Sequence, residues 1–370
     1  VREIEVFIPG KIMLAGEYAV LRGGHSLAVT VDIGMNVKLS WIPTAASWTI
    51  NSNLWEKPKI VDDDHTPQKD ILCRAVQYAA KKTGLHGGTI SITSALDVKH
   101  GLGSSSALRL GVCGAFFALQ QAEKYGFAQS IPRESLNAAW QLQSEAQGLA
   151  SGYDVVTQYV GGLVEFNFDY SDNKWVPHWF KHHRDRLDSF VHVYVGGCGA
   201  PTTQTVQTTA SWLDFGSRLD KFLDVSETLI DAFNLCIQQP NTTSLKALIA
   251  ACSASRAQFV GSPHFPGNIA ANLGLLPGID KKWTWKTTGA GGEDAILLIG
   301  EQHETLAAAA RLSELGWHRL NVKFSDMGGH ILQPPLTSDT TVLAQTSKEG
   351  PQLDKRLNAT TNEANLNDKI

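Results

Sequence analysis

The stretch from Thr89 to Leu119 constrains this chain most. TISITSALDV (89–98) alternates like a strand, Gly101-Leu102-Gly103-Ser104-Ser105-Ser106 follows, and Leu108, Val112, Phe116 and Leu119 then recur on one helical face. A strand therefore feeds a glycine loop, and the loop feeds a helix whose serines are candidate caps. Glycines let a backbone approach an anion closely, and the free amides of a helix N-terminus carry positive partial charge. The loop is thus a candidate phosphate cradle, and its hydroxyls add donors and a candidate magnesium ligand. Two common nucleotide motifs are excluded. Ser106 stands where GxGxxG needs its third glycine, and no Gly-Lys-Ser/Thr is present. Standing alone, the loop is also compatible with a capped strand-to-helix turn.

The 370 residues, 43% hydrophobic and 18% charged, supply a core larger than one ordinary domain, so a compact two-lobe molecule is expected. A formal charge of -4 provides no basic field for non-specific nucleic-acid binding. Cys73, Cys113, Cys198, Cys236 and Cys252 are scattered, with no CxxC pair, and read as core thiols. VREIEVFIPGK lacks the pattern of a secretion signal, and no apolar run reaches about 18 residues. A cytoplasmic protein with no membrane and no nucleic-acid partner is expected, as a monomer or homodimer.

Strand patterning fills residues 3–48, and helices are expected over 70–83, stopping at Gly84, and over 132–148. YDVVTQYVGGLVEFNF reads as a helix turn passing into a strand. The polar, aromatic stretch 173–188 is taken as the boundary between an N-terminal lobe, 1–187, and a C-terminal lobe, 188–335. The second lobe should hold helices near 213–238, 244–260 and 301–315, with strands around WTWKTTGAGGEDAILLIG and a last strand at NVKFSD. This interleaving predicts an α+β fold. The threonine- and asparagine-rich residues 336–370 read as a poorly ordered tail. His182 and His183 point apart on any regular element and read as structural.

Two further segments join the glycine loop: IPGKIMLAGEYAV near the N-terminus and KTTGAGGEDA before an apolar strand. In that order and at those intervals, IPGKIMLAGEYAV, HGLGSSSALRL and KTTGAGGEDA resemble the three signature motifs of the GHMP kinases, over residues 1 to about 333. The resemblance implies an N-terminal lobe like the second domain of ribosomal protein S5, a ferredoxin-like C-terminal lobe, and ATP with Mg2+ as cofactors. Within that superfamily the phosphomevalonate kinases are the more similar group. They share Tyr18 after Glu17, Lys99 before the loop, AQGLASGYDVVTQYVGG, and GCGAPTTQT. Mevalonate kinases usually carry histidine at the position of Tyr18 and an acidic magnesium ligand at that of Gln143.

What the resemblance implies for the site follows residue by residue. Asp154 would orient or deprotonate the attacking group, and Lys11 would stabilise charge on the transferred phosphoryl. Lys99, Gly101, Leu102, Gly103, Ser104, Ser105 and Ser106 would hold ATP. Ser105 and Glu145 would be metal ligands. Glu17, Thr202, Thr203, Lys286, Gly289, Ala290 and Gly291 would meet the substrate, a small phosphorylated acid. Glu293 departs from the third motif by adding negative charge near an anionic ligand. The implied reaction moves the γ-phosphoryl of Mg-ATP to phosphomevalonate, giving the diphosphate. A mevalonate kinase, and a ligand sensor of the same fold without catalysis, are the alternatives.

Overall fold

The computed structural model describes residues 2–62, 70–148, 150–171, 174–183, 186–196, 217–260, 282–291 and 295–333. Residues 1–336 form one compact unit. The expected tail lies outside the described residues, as do Thr202, Thr203, Cys198 and Glu293.

Strand β1 (Arg2–Ala15) shows how sequence becomes architecture. Its first half alternates buried and partly exposed residues, as a one-sided strand should, but from Ile8 to Ala15 every residue is buried. That second half passes beneath the functional loops, with Lys11 the one charge within it. Strand β2 (Ser26–Trp41) returns antiparallel to β1, pairing Lys11 with Thr30. The hairpin anchors a nine-stranded sheet with β3 (Ser47–Ser52), β4 (Lys59–Asp62), β5 (Gly88–Ser94), β6 (Leu163–Ser171), β7 (Lys174–His182), β12 (Phe324–Ser325) and β13 (His330–Gln333). Helices α1 (Ile71–Thr83), α2 (Ser104–Tyr125), α3 (Arg133–Gln147) and α4 (Tyr153–Val160) accompany this sheet. α2 packs on β1, β2, α1, α3 and α4, so its N-terminus is fixed from several sides.

A smaller antiparallel sheet orders β11 (His318–Arg319), β8 (Val191–Val195), β10 (Ala295–Ile299) and β9 (Thr284–Thr287). Short α5 (Leu187–Phe190) precedes β8, and α6 (Ser217–Gln238), α7 (Thr242–Val260) and α8 (Leu306–Glu314) complete the described helices. The α+β class follows. Two local expectations change. The polar stretch read as a lobe boundary contains β7, a hairpin partner of β6, in which partly covered Pro177 and Trp179 alternate with exposed Val176, His178 and Phe180. The last strand expected at NVKFSD narrows to Phe324–Ser325, and the chain then returns to β1 as β13. Cys73, Cys113, Cys236 and Cys252 are buried free thiols. No described helix is long and apolar enough to cross a membrane.

Candidate active site

The glycine loop and α2 set one wall of a cleft of about 310 Å³. Gly101 and Gly103 adopt φ of 64° and 81°, a region that favours glycine, and Gly103 caps α2. The amides of Ser104, Ser105 and Ser106 fall in the first helical turn, where no preceding carbonyl is available to them. All three serines line the cleft. Ser106 Oγ donates back to Gly103 O at 2.9 Å, tightening the turn. Leu102 is buried in the core and contributes only its carbonyl, which accepts the Lys11 amide at 2.9 Å.

Lys11 enters from β1. Its ammonium donates to Gly101 O at 3.2 Å and to the Tyr153 hydroxyl at 3.0 Å. Burial alone would lower its pKa, but the nearby Tyr153, Asp154 and Glu17 outweigh that cost and raise it above the ordinary lysine value. Burial conversely raises the Tyr153 phenol, against the pull of Lys11, so the pair stays a cation beside a neutral hydroxyl.

Asp154 comes from the first turn of α4, after Gly152 at φ 80°. Gln143 Nε2, from α3, donates to both carboxylate oxygens at 3.1 and 3.0 Å, and the Val155 amide donates to Oδ1 at 3.0 Å. The aspartate is therefore held in one orientation at the cleft wall. Gln158 Nε2 donates to Pro9 O at 2.9 Å and Gly103 O at 3.1 Å, tying α4 to β1 and the loop.

The third segment closes the opposite side. Thr288 Oγ1 bridges Met13, accepting its amide at 3.2 Å and donating to its carbonyl at 3.1 Å. Gly289 and Gly291 turn at φ of 58° and 75°, and Thr288, Gly289 and Ala290 line the cleft. The Tyr18 hydroxyl donates to Ala290 O, and Tyr18 itself sits at φ 64°, a strained angle for a non-glycine residue.

Not every expected residue joins this site. Lys286 is buried in an ion pair with Glu17 and also donates to Thr287 O at 2.7 Å, so its charge is already matched. Glu17 lines the cleft through that pair. Lys99 is exposed, with its amide donating to Asp97, and it does not line the cleft although its neighbour Val98 does. Glu145 is exposed on α3, paired with Arg74 at 2.6 Å and accepting from Gln141 at 2.9 Å, also outside the lining. His182 holds Glu165 at 2.7 Å, and among the described residues no histidine, cysteine or acidic cluster suits a metal ion.

Sequence reasoning missed Tyr153 as the partner of Lys11, and it missed Arg109. The second had a visible signal: one arginine in the otherwise apolar run ALRLGVCGAFFAL, four residues after Ser105 and so on the same helical face.

Residues 70–162 match the family model described as the GHMP kinases N terminal domain. The mevalonate kinase of Archaeoglobus fulgidus is 27% identical over 301 residues, 80% of this chain and 92% of that protein. The mevalonate kinase of Schizosaccharomyces pombe is 24% identical over 205 residues, 45% of this chain and 51% of its own length. Among solved structures, Streptococcus pneumoniae phosphomevalonate kinase in complex with phosphomevalonate and AMPPNP aligns with a TM-score of 0.66 at 16% identity, over 87% of this chain and 99% of that one. The Methanococcus jannaschii mevalonate kinase aligns with a TM-score of 0.61 at 18% identity, over 88% and 98%. At such identities these structures establish the two-lobe α+β fold.

Proposed function

We propose that this chain, whose residues 70–162 match the GHMP kinases N terminal domain, is a kinase of that family and transfers the γ-phosphoryl of ATP to an acid acceptor of the mevalonate pathway. One observation carries this reading: Lys11, Asp154 and the first turn of α2 converge on a single cleft, closed by the Thr288–Gly291 turn. Phosphoryl transfer asks a protein chiefly for positioning and charge neutralisation. The α2 amides suit the nucleotide phosphates, and Lys11, pinned to Gly101 and Tyr153, suits the charge that builds on the transferred group.

Phosphomevalonate is the acceptor this site favours. Its attacking oxygen is already ionised and needs no base. Asp154, with both oxygens engaged by Gln143, is held as an orienting group. Mevalonate is the second reading, supported by the names of the curated relatives. With that alcohol, Asp154 would have to take the proton.

Magnesium does not find a protein-built site among these residues. Ser105 Oγ already accepts a guanidinium N–H at 2.7 Å, Glu17 is paired with Lys286, and Asp154 takes the Gln143 amide. An ion entering the cleft would be held through nucleotide phosphates, which suits a cation that keeps most of its own waters.

An assay coupled to ADP release, run with mevalonate, phosphomevalonate, homoserine and galactose in turn, tests the reading. Turnover greatest with phosphomevalonate supports it, and turnover greatest with mevalonate selects the second reading. ATP binding without turnover on any of the four would overturn the kinase assignment in favour of a sensor.

A further inference from the structure

The engagement of Ser105 by Arg109 shows more than a poor magnesium site. Arg109 lies on α2 one turn below Ser105, only 3% exposed, and lines the cleft beside Gln143 and Asp154. Among the described residues its hydrogen bonds all leave from one nitrogen: Nη1 donates to Ser105 Oγ at 2.7 Å and to Ser105 O at 3.3 Å. No carboxylate among the described residues stands within ion-pair distance. Asp154 reaches the guanidinium only through its longer-range field. Nε and Nη2 have no hydrogen-bond partner among the described residues, and the Arg109 side chain lines the cleft.

A guanidinium offers five donors in a planar fork. A buried one without a counter-ion is costly, and replacing it by an apolar side chain of similar size often leaves a protein as stable or more so. A strut for the first turn of α2 would need Nη1 alone. The unused edge has the geometry that planar, bidentate recognition of phosphate requires.

We propose that Arg109 is a phosphate-binding residue, whose Nε–Nη2 edge receives phosphoryl oxygens in the cleft and supplies a fixed positive charge where Ser105 and Gln143 give a cation no carboxylate. The inference rests on the kinase reading for the identity of its phosphate, either the terminal group of the nucleotide or that of a phosphorylated acceptor. The chemistry is shared by both.

The test is calorimetric titration in EDTA of the full chain, its Arg109→Met and its Arg109→Lys variants, with AMPPNP, ADP, phosphomevalonate and inorganic tripolyphosphate, alongside thermal melting. Losing a charge-assisted fork should weaken the phosphate ligand by roughly 10- to 100-fold in Arg109→Met, and less in Arg109→Lys, which keeps the charge without the fork. A loss for AMPPNP with ADP unchanged assigns the edge to the terminal phosphate. A loss for phosphomevalonate assigns it to the acceptor. Either outcome, with melting temperature equal to or above that of the parent, supports the proposal. Unchanged affinity for every phosphate ligand overturns it, and a lowered melting temperature beside that unchanged affinity identifies a strut. If the parent chain binds no adenine nucleotide, the kinase reading fails. Tripolyphosphate alone then decides for Arg109: weaker binding in Arg109→Met supports the role, and equal binding refutes it.

Discussion

Gly103→Ala probes the cradle where backbone strain and catalysis meet. Gly103 holds φ at 81°, and a Cβ there would stand 3.0 Å from Gln158 Nε2, 3.0 Å from Lys11 Cε and 3.1 Å from Ser106 Oγ. Gly84, the C-cap of α1, is a natural control: its φ is 71°, and a Cβ there meets nothing within 4 Å. Gly84→Ala therefore carries the left-handed backbone cost alone, about 1–2 kcal/mol. Gly103→Ala adds the crowding of three tight contacts, about 1–3 kcal/mol for an overpacked site, for a total of about 2–5 kcal/mol. Equilibrium denaturation at constant m value measures both. Turnover separates them more sharply. Lys11 Cε is the carbon that carries the ammonium, and displacing a positioned group by about 1 Å can cost roughly 100-fold in rate. Gly84→Ala should keep parental turnover, while Gly103→Ala should lose most of it although still folded. If Gly103→Ala is no less stable than Gly84→Ala and turns over like the parent, the loop does not position Lys11 and the cradle argument fails.

Asp154→Asn and Lys11→Ala should each collapse turnover while ATP affinity stays within about tenfold, because the lost interactions belong mainly to the transition state; near-parental activity in either would refute its role. Glu17→Gln strips the partner of buried Lys286 and should cost about 3–5 kcal/mol in denaturant unfolding, much of it regained on adding Lys286→Met. No recovery in the double variant would show that the pair is not the source of the loss. Glu165 provides a pH test. Its carboxyl is pulled from the ordinary 4.5 to about 2, chiefly by the His182 hydrogen bond, with His25 and Asn234 adding to it against burial. A depressed acid contributes stability that is fully present above about pH 4.5 and is lost as pH falls toward 2, on the order of 3 kcal/mol. Unfolding of the parent and of Glu165→Gln across pH 2 to 6 should therefore converge at the acid end, and a constant gap would refute the linkage.

What could be read without coordinates was what depends on neighbours in sequence. Gly101 and Gly103 mark positive φ, the serines after them mark a helix start, and Gly84 marks the stop of α1; each is a local backbone requirement that residue type declares. Lys11 was marked by its place in a family motif, and its burial in the second half of β1 is a finding of the structure. Pairing across the fold decided the remainder. Lys286 and Glu17, both expected to meet substrate, neutralise each other although they stand 269 residues apart in the sequence. Lys99, one residue from a cleft-lining valine, is exposed and lies outside the cleft lining. Ser105 was legible as a hydroxyl at a helix start, but not as one already held by Arg109. The glycine loop is a local feature, so its place as one wall of a cleft was open to inference. Whether the charges around it are free or spent is a matter of distance between segments, which only the tertiary structure decides.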